Sequence, residues 1–254
     1  MIPRLLVLAA ALLFSTAGAA IKASSLNSWQ VSSFRCGIGL AAMLLFLPET
    51  RRGWTWRIVP GAAALATTFV LFVTANKLTT AASAIFIQYT APVHLLLLGP
   101  WFLREPIRRA DLVFIAAVAA GMSCFFVSSA DVSVTAPNPA LGNLLAAGAS
   151  VTWALTLALL RWSSQAAHED SSLQTVALGC LVTFAGCLPA ALPGLAMTGR
   201  DVAILVYLGV FQIGLAYFCL TRGMRRVGAF EASAGGALIL SATLVNTWWR
   251  GRGR

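Results

Sequence analysis

The chain has 254 residues, 59% of them hydrophobic and only 10% charged, with a mean hydropathy of +0.82. Soluble domains carry about 25% charged residues, so a water-exposed globule is excluded and lipid is the remaining solvent. The net charge of +10 does not point to nucleic acid, because no extended basic surface with interleaved aromatics accompanies it.

A membrane span needs about 20 apolar residues to cross about 30 Å of hydrocarbon. Nine such stretches are predicted in chain order: 5–22, 29–48, 58–77, 82–102, 111–128, 140–161, 172–192, 202–221 and 230–249. The first also has the outline of a signal peptide, with Arg4 ahead of an apolar run and small residues at 15–19. The internal repeat described below uses it as a complete helix instead. Pro48, Pro60, Pro137, Pro139 and Pro193 lie at or near proposed ends, as do Trp29, Trp54, Trp56, Trp101, Trp162, Trp248 and Trp249. Tryptophans at both interfaces are the expected belt.

Basic clusters follow the second, fourth and eighth spans: Arg51, Arg52 and Arg57; Arg104, Arg108 and Arg109; Arg222, Arg225 and Arg226. With the N-terminus in the cytoplasm these fall inside, together with Arg4 and Arg161; the outer loops hold only Lys22, Lys77 and Arg200. Nine spans place Arg250, Arg252 and Arg254 outside, against this bias, and a tenth would return them inside. Cytoplasmic loops carry the Lys and Arg excess, so this orientation is predicted, in a bacterial inner membrane. Cys36, Cys124, Cys180, Cys187 and Cys219 all sit in apolar runs without a CxxC or Cys/His cluster, which reads as packed free thiols. Small residues at helical spacing, Gly37 with Ala41 and Gly142 with Ala146, allow close helix contact.

The chain repeats itself. Phe14 precedes Lys22 by eight residues, as Trp153 precedes Arg161; Gln30 precedes Cys36 by six, as Gln174 precedes Cys180. Residues 75–78 line up with 221–224, and Ala82-Ser83 with Ala232-Ser233. Five spans in one unit put the second copy upside down, which is the inverted repeat of many transporters. The expected organisation is a first repeat at 1–128, an external linker at 129–139 without a basic residue, and a second repeat at 140–254. After Ser233 the second copy has one span where the first has two. One helix is therefore expected to be absent, and the fold class is an all-α transmembrane bundle of two inverted five-helix repeats, the second one helix short.

In these residues the chain resembles the EamA-type carriers of the drug/metabolite transporter superfamily. The resemblance rests on residues 11–16 with Lys22, Ser33-Phe34-Arg35, residues 80–84 through Ala91-Pro92, Arg104-Glu105-Pro106, and Leu215-Ala216-Tyr217. It implies ten helices with both termini in the cytoplasm, from which this sequence departs by the absent ninth.

Arg35 is the most informative candidate, about six residues into the second span. A charge inside a membrane costs about 2.5–3.5 kcal/mol on insertion scales and marks a functional site by default. Either it faces a cavity and holds an anionic group of the solute, or it snorkels to the interface. Gln88, Tyr89, Thr90 and His94 cluster on the fourth span around Pro92, which frees a carbonyl and is the expected hinge. They read as cavity lining or as bonds between packed helices. Trp153, the one tryptophan far from an interface, and Gln212 with Tyr217 are further candidates for the solute site, or for packing. Lys22, Asn76 and Lys77 read as caps or interface anchors. Glu231 is the nearest carboxylate for proton coupling, but Arg225 and Arg226 beside it favour a surface ion pair.

No HExxH, GxSxG or Walker motif occurs, and neither a cofactor nor a metal is expected. The expected function is a secondary transporter, a permease or exporter. It moves a small organic metabolite, amphipathic or anionic if Arg35 faces it, by alternating access about a midplane cavity lined by helices one, three, four, six and eight. A non-transporting remnant and a membrane-embedded enzyme are the alternatives. Expected partners are the solute and the lipid bilayer, with no nucleic acid; a homodimer stays open.

Overall fold

The computed structural model describes residues 2–102, 116, 136–166 and 171–224. The predicted spans at 111–128 and 230–249, with Glu231 and the basic residues at 104–109 and 225–226, lie outside the described residues.

The described elements are helices. They are α1 (Ile2–Ser15), α2 (Ala17–Ala23), α3 (Ser28–Phe46), a 3-10 turn (Pro48–Arg51), α4 (Ile58–Leu78), α5 (Ala81–Gln88), α6 (Ala91–Phe102), α7 (Pro139–Ala166), α8 (Ser172–Ala191), α9 (Gly199–Val206), a π-helical segment (Tyr207–Leu215) and α10 (Ala216–Met224). Six stretches are long and apolar enough to cross a membrane: Leu5–Ala23, Ser28–Phe46, Ile58–Leu78, Pro139–Ser163, Ser172–Ala191 and Gly199–Met224. A shorter apolar helix covers Ala81–Leu97. Large apolar side chains such as Leu12, Leu45, Phe46, Leu97 and Leu144 point outward, as a lipid-facing surface requires.

The helix starts at Asn27, Thr80 and Thr198 carry side-chain caps. Asn27 and Gln30 make a reciprocal capping box at α3: Gln30 N donates to Asn27 Oδ1 at 2.9 Å and Asn27 N donates to Gln30 Oε1 at 3.1 Å. Thr198 and Asp201 make another at α9. Each box satisfies two backbone N–H groups that would otherwise be stranded. The turns after α3 and α8 each use a glycine at positive φ, Gly53 at 73° and Gly194 at 65°, where a side chain would strain the backbone.

Three breaks depart from the predicted regular spans. The first span opens at Thr16, between α1 and α2. The fourth, expected as one helix over 82–102, opens at Tyr89 and Thr90. Pro92 carries no N–H, so the Gln88 carbonyl has no i+4 donor and the helix parts just ahead of the proline. The eighth, expected as a regular helix over 202–221, runs longer and is π-helical over its centre.

The helices pack in a recurring pattern. α3 lies against α8, α4 against α7 and α8, the π-helical segment against α3, and α1 against α10. Close approach relies on glycine. A Cβ on Gly39 would lie 3.1 Å from the Gly209 carbonyl oxygen, and one on Gly209 would lie 2.9 Å from that of Arg35. The buried centre runs through Cys36, Leu65, Phe69, Leu157, Val176, Cys180, Ile213 and Tyr217. The four described cysteines are free and buried, as their sequence context predicts.

Candidate functional site

Six of the eight predicted positions meet at one place. Arg35, Gln88, Tyr89, Trp153, Gln212 and Tyr217 line a cavity of about 70 Å³, joined by Phe14 and Phe69. Most of them lie in the middle part of their spans, so the cavity sits between the two ends of the bundle. Its walls come from the first, second, third, fourth, sixth and eighth spans.

Arg35 does not snorkel; it is fully buried. Its Nη1 donates to Gln212 Oε1 and its Nη2 to the Phe69 carbonyl oxygen, both at a long 3.4 Å. Its Nε has no hydrogen-bond partner. The guanidinium also lies over the Phe69 ring, 5.2 Å from the centroid, a cation–π contact. Ridge spacing on α3 does not dictate this inward aim; the glycine contacts at Gly39 and Gly209 draw the π-helical segment against α3, which brings Gln212 to Arg35.

The aromatic wall is one cluster. Tyr217 meets Phe14 at 5.2 Å, Phe69 at 5.8 Å and Trp153 at 5.9 Å between ring centroids, all edge-to-face. Phe14 meets Trp153 at 6.0 Å in the same manner. This geometry suits the aromatic quadrupole and fixes the rings. Gln88 Oε1 is buried with no partner.

His94 and Pro92 are not among the lining residues. His94 belongs to a hydrogen-bond relay at the helix break. Thr90 Oγ1 donates to the Ile87 carbonyl oxygen at 2.7 Å, so the 2.7 Å contact between Thr90 and Ser150 is donated by Ser150. That leaves Ser150 to accept from His94 Nδ1 at 3.2 Å. The relay holds the broken fourth span against α7. Thr90 and His94 do share a face, as their spacing predicts, but that face meets a neighbouring helix.

Sequence reasoning missed Asp201. It accepts hydrogen bonds from Ser24 Oγ and Ser25 N at 2.8 Å, Ser25 Oγ at 2.7 Å, Thr198 N at 3.1 Å and Thr198 Oγ1 at 2.6 Å. Lys77 Nζ donates to the Ser24 carbonyl oxygen at 2.8 Å beside it. This clasp ties the turn between α2 and α3 to the start of α9. The Thr198-x-x-Asp201 spacing ahead of an apolar run is a local capping signal that would have found half of it. Nearer the cavity, Thr16 Oγ1 donates to the Leu13 carbonyl oxygen at 2.7 Å, so Tyr207 donates its hydroxyl to Thr16, also at 2.7 Å.

The opposite end of the bundle carries Glu49, paired with Arg222. There Gln174 Nε2 donates to the carbonyl oxygens of Glu49 and Arg52 at 2.9 and 2.7 Å, and Arg161 Nη1 donates to that of Met224 at 2.9 Å.

Comparison with known proteins adds to this geometry. The model of the EamA-like transporter family matches residues 1–127 and 140–251. A solved structure described only as the crystal structure of a protein matches with 21% identity and a TM-score of 0.72, over 96% of this chain and 88% of that one. At that identity the likeness speaks for the fold alone. A search of curated proteins gives no significant match. The family match spans both halves of a chain built from apolar membrane-length helices; this multi-pass membrane protein belongs to the EamA-like transporter family.

Proposed function

We propose that the chain is a secondary transporter that moves a small organic metabolite across the bacterial inner membrane by alternating access. The observation that carries this is the mid-span cavity, lined from both halves of the chain by Arg35, Gln88, Trp153, Gln212 and Tyr217. Transporters of inverted-repeat design bind solute near the midplane between their repeats and rock one against the other.

The proposed repeats are 1–128 and 140–254, joined by a linker at 129–139, with the N-terminus in the cytoplasm. Two matched contacts support the inversion. Gln30, in the first turn of α3, donates from Nε2 to the Ala191 carbonyl oxygen at the end of α8, at 3.2 Å. Gln174, in the first turn of α8, reaches back to the segment that follows α3. Residues equivalent in the proposed repeat thus make corresponding contacts from opposite halves of the chain. Exchanging the halves likewise maps the α4–α7 pair onto the α1–α10 pair.

The test is flux of labelled metabolites into proteoliposomes carrying the purified protein. Accumulation or counterflow of one solute class is expected; a folded protein that carries none sinks the proposal. A second reading, a non-transporting remnant, is favoured by the sequence break after Ser233. Inserting a helix and loop of thirty residues after Ser233, copied from 84–113, would restore flux if the gap alone is at fault. A one-sided reporter after Arg254 reads the topology: an external signal is expected from nine inserted spans, an internal one from ten or eight.

A further inference from the structure

We propose that the cavity takes a compact organic monocarboxylate with an apolar or aromatic body, and that its carboxylate is the counter-charge of Arg35. The proposal rests on the transporter reading and names its solute class.

A guanidinium stays charged at any pH the protein meets. Burying it unpaired is costly, whether in a protein interior or at the depth of a bilayer. Arg35 is fully buried, yet its two hydrogen bonds go to neutral oxygens at 3.4 Å and its Nε has none. The described residues include two carboxylates, and both are engaged elsewhere. Glu49 pairs with Arg222, and Asp201 is held by Ser24, Ser25 and Thr198. Neither lines the cavity. Among the described residues no carboxylate faces Arg35, and the proposed solute supplies the compensating charge.

The surroundings narrow its chemistry. Arg35 is the one cation lining the cavity among the described residues, which suits one negative charge. A carboxylate fits the planar fork of a guanidinium, and such charge-assisted bonds are the strong ones. Gln212 spends its Oε1 on Arg35, which leaves its amide N–H groups to donate to the same carboxylate. Beyond this polar corner the wall is the ring cluster of Phe14, Phe69, Trp153 and Tyr217. This ring face is a good partner for an apolar or aromatic body, with Thr68, Gln88 and Tyr89 as the polar exceptions on the lining.

The experiment is calorimetric titration of the full-length purified protein with acetate, butyrate and benzoate, each against its neutral amide. At least one carboxylate is expected to bind about thirtyfold or more tightly than its amide. Arg35→Gln is expected to abolish that preference. Gln212→Glu gives Arg35 an internal counter-charge and is expected to abolish carboxylate binding while the melting temperature holds or rises. Equal binding of acid and amide by the native protein, no binding of any of the three acids, or full benzoate affinity in a folded Gln212→Glu protein would each overturn the proposal. Binding is read without flux, so the two readings fail separately. A protein that binds carboxylates and transports nothing keeps this site and loses the transporter. One that carries neutral solutes without charge preference does the reverse.

Discussion

Two charged side chains are buried among the described residues, Arg35 at mid-span and Asp201 near one end of the bundle, and they are treated in opposite ways. Asp201 accepts five hydrogen bonds of 2.6 to 3.1 Å from three residues. Arg35 makes two long ones and keeps a nitrogen without a partner. A fully satisfied buried network rigidifies the parts it joins, whereas a partly satisfied one stores a cost. The clasp holds the α2–α3 turn and α9 together, and the cavity keeps a charge with few and long hydrogen bonds. Burial alone does not distinguish these two charges; the count and length of their bonds do.

Substitution can break this comparison. The largest effect is expected from Asp201→Ala, which strands donors from Ser24, Ser25 and Thr198 together and removes a capping box. The melting temperature in detergent should fall by roughly 8 °C or more. Arg35→Leu should leave it unchanged or raise it, because it removes an unpaired buried charge. If Arg35→Leu destabilises as much as Asp201→Ala, Arg35 is a structural residue and the contrast is gone.

Gly209→Val sharpens the comparison from the backbone side. Its Cβ would stand 2.6 Å from Ile38 and 2.9 Å from the Arg35 carbonyl oxygen. Overpacking of this kind costs about 2 kcal/mol, and it pushes Gln212 away from Arg35. Chemical denaturation should report the loss, and solute flux should fall with it; unchanged flux would separate the site from this helix contact. Smaller effects are expected from Gln174→Leu, about 1 kcal/mol for its lost ties to Glu49 and Arg52, and somewhat more from Gln30→Leu, which also loses the capping box with Asn27. Chemical denaturation in detergent checks the order. The smallest effect is expected from Thr16→Val, which strips the acceptor from Tyr207. A helix-to-helix hydrogen bond in a membrane averages about 0.6 kcal/mol, so stability should barely change. A shift in labelling of a cysteine introduced at the cavity would show that the Thr16–Tyr207 contact closes one path to it.

Hydropathy and spacing were enough to read six of the nine predicted spans as membrane-length helices, because lipid demands long apolar runs and tolerates few charges between them. They also found Arg35, Gln88, Trp153, Gln212 and Tyr217, since polar or out-of-place aromatic residues stand out on such a background. The pairing of Gln30 with Gln174 was visible as a repeat. What each did was not. Arg35 had two futures in the sequence, cavity or interface, and the approach of the π-helical segment at Gly39 and Gly209 decided between them. His94 looked as good a candidate as Gln88, and a relay through Ser150 turned it toward a neighbouring helix.

Composition and local order thus determined the solvent, the described helices and the family resemblance, all properties carried by short stretches of chain. Tertiary structure alone decided which buried charge is satisfied. The donors to Asp201 include Ser25, 176 residues away, and the oxygen nearest Arg35 Nη1 belongs to Gln212, 177 residues away. Hydrogen bonds over such separations depend on how the two halves pack, and no local pattern records that.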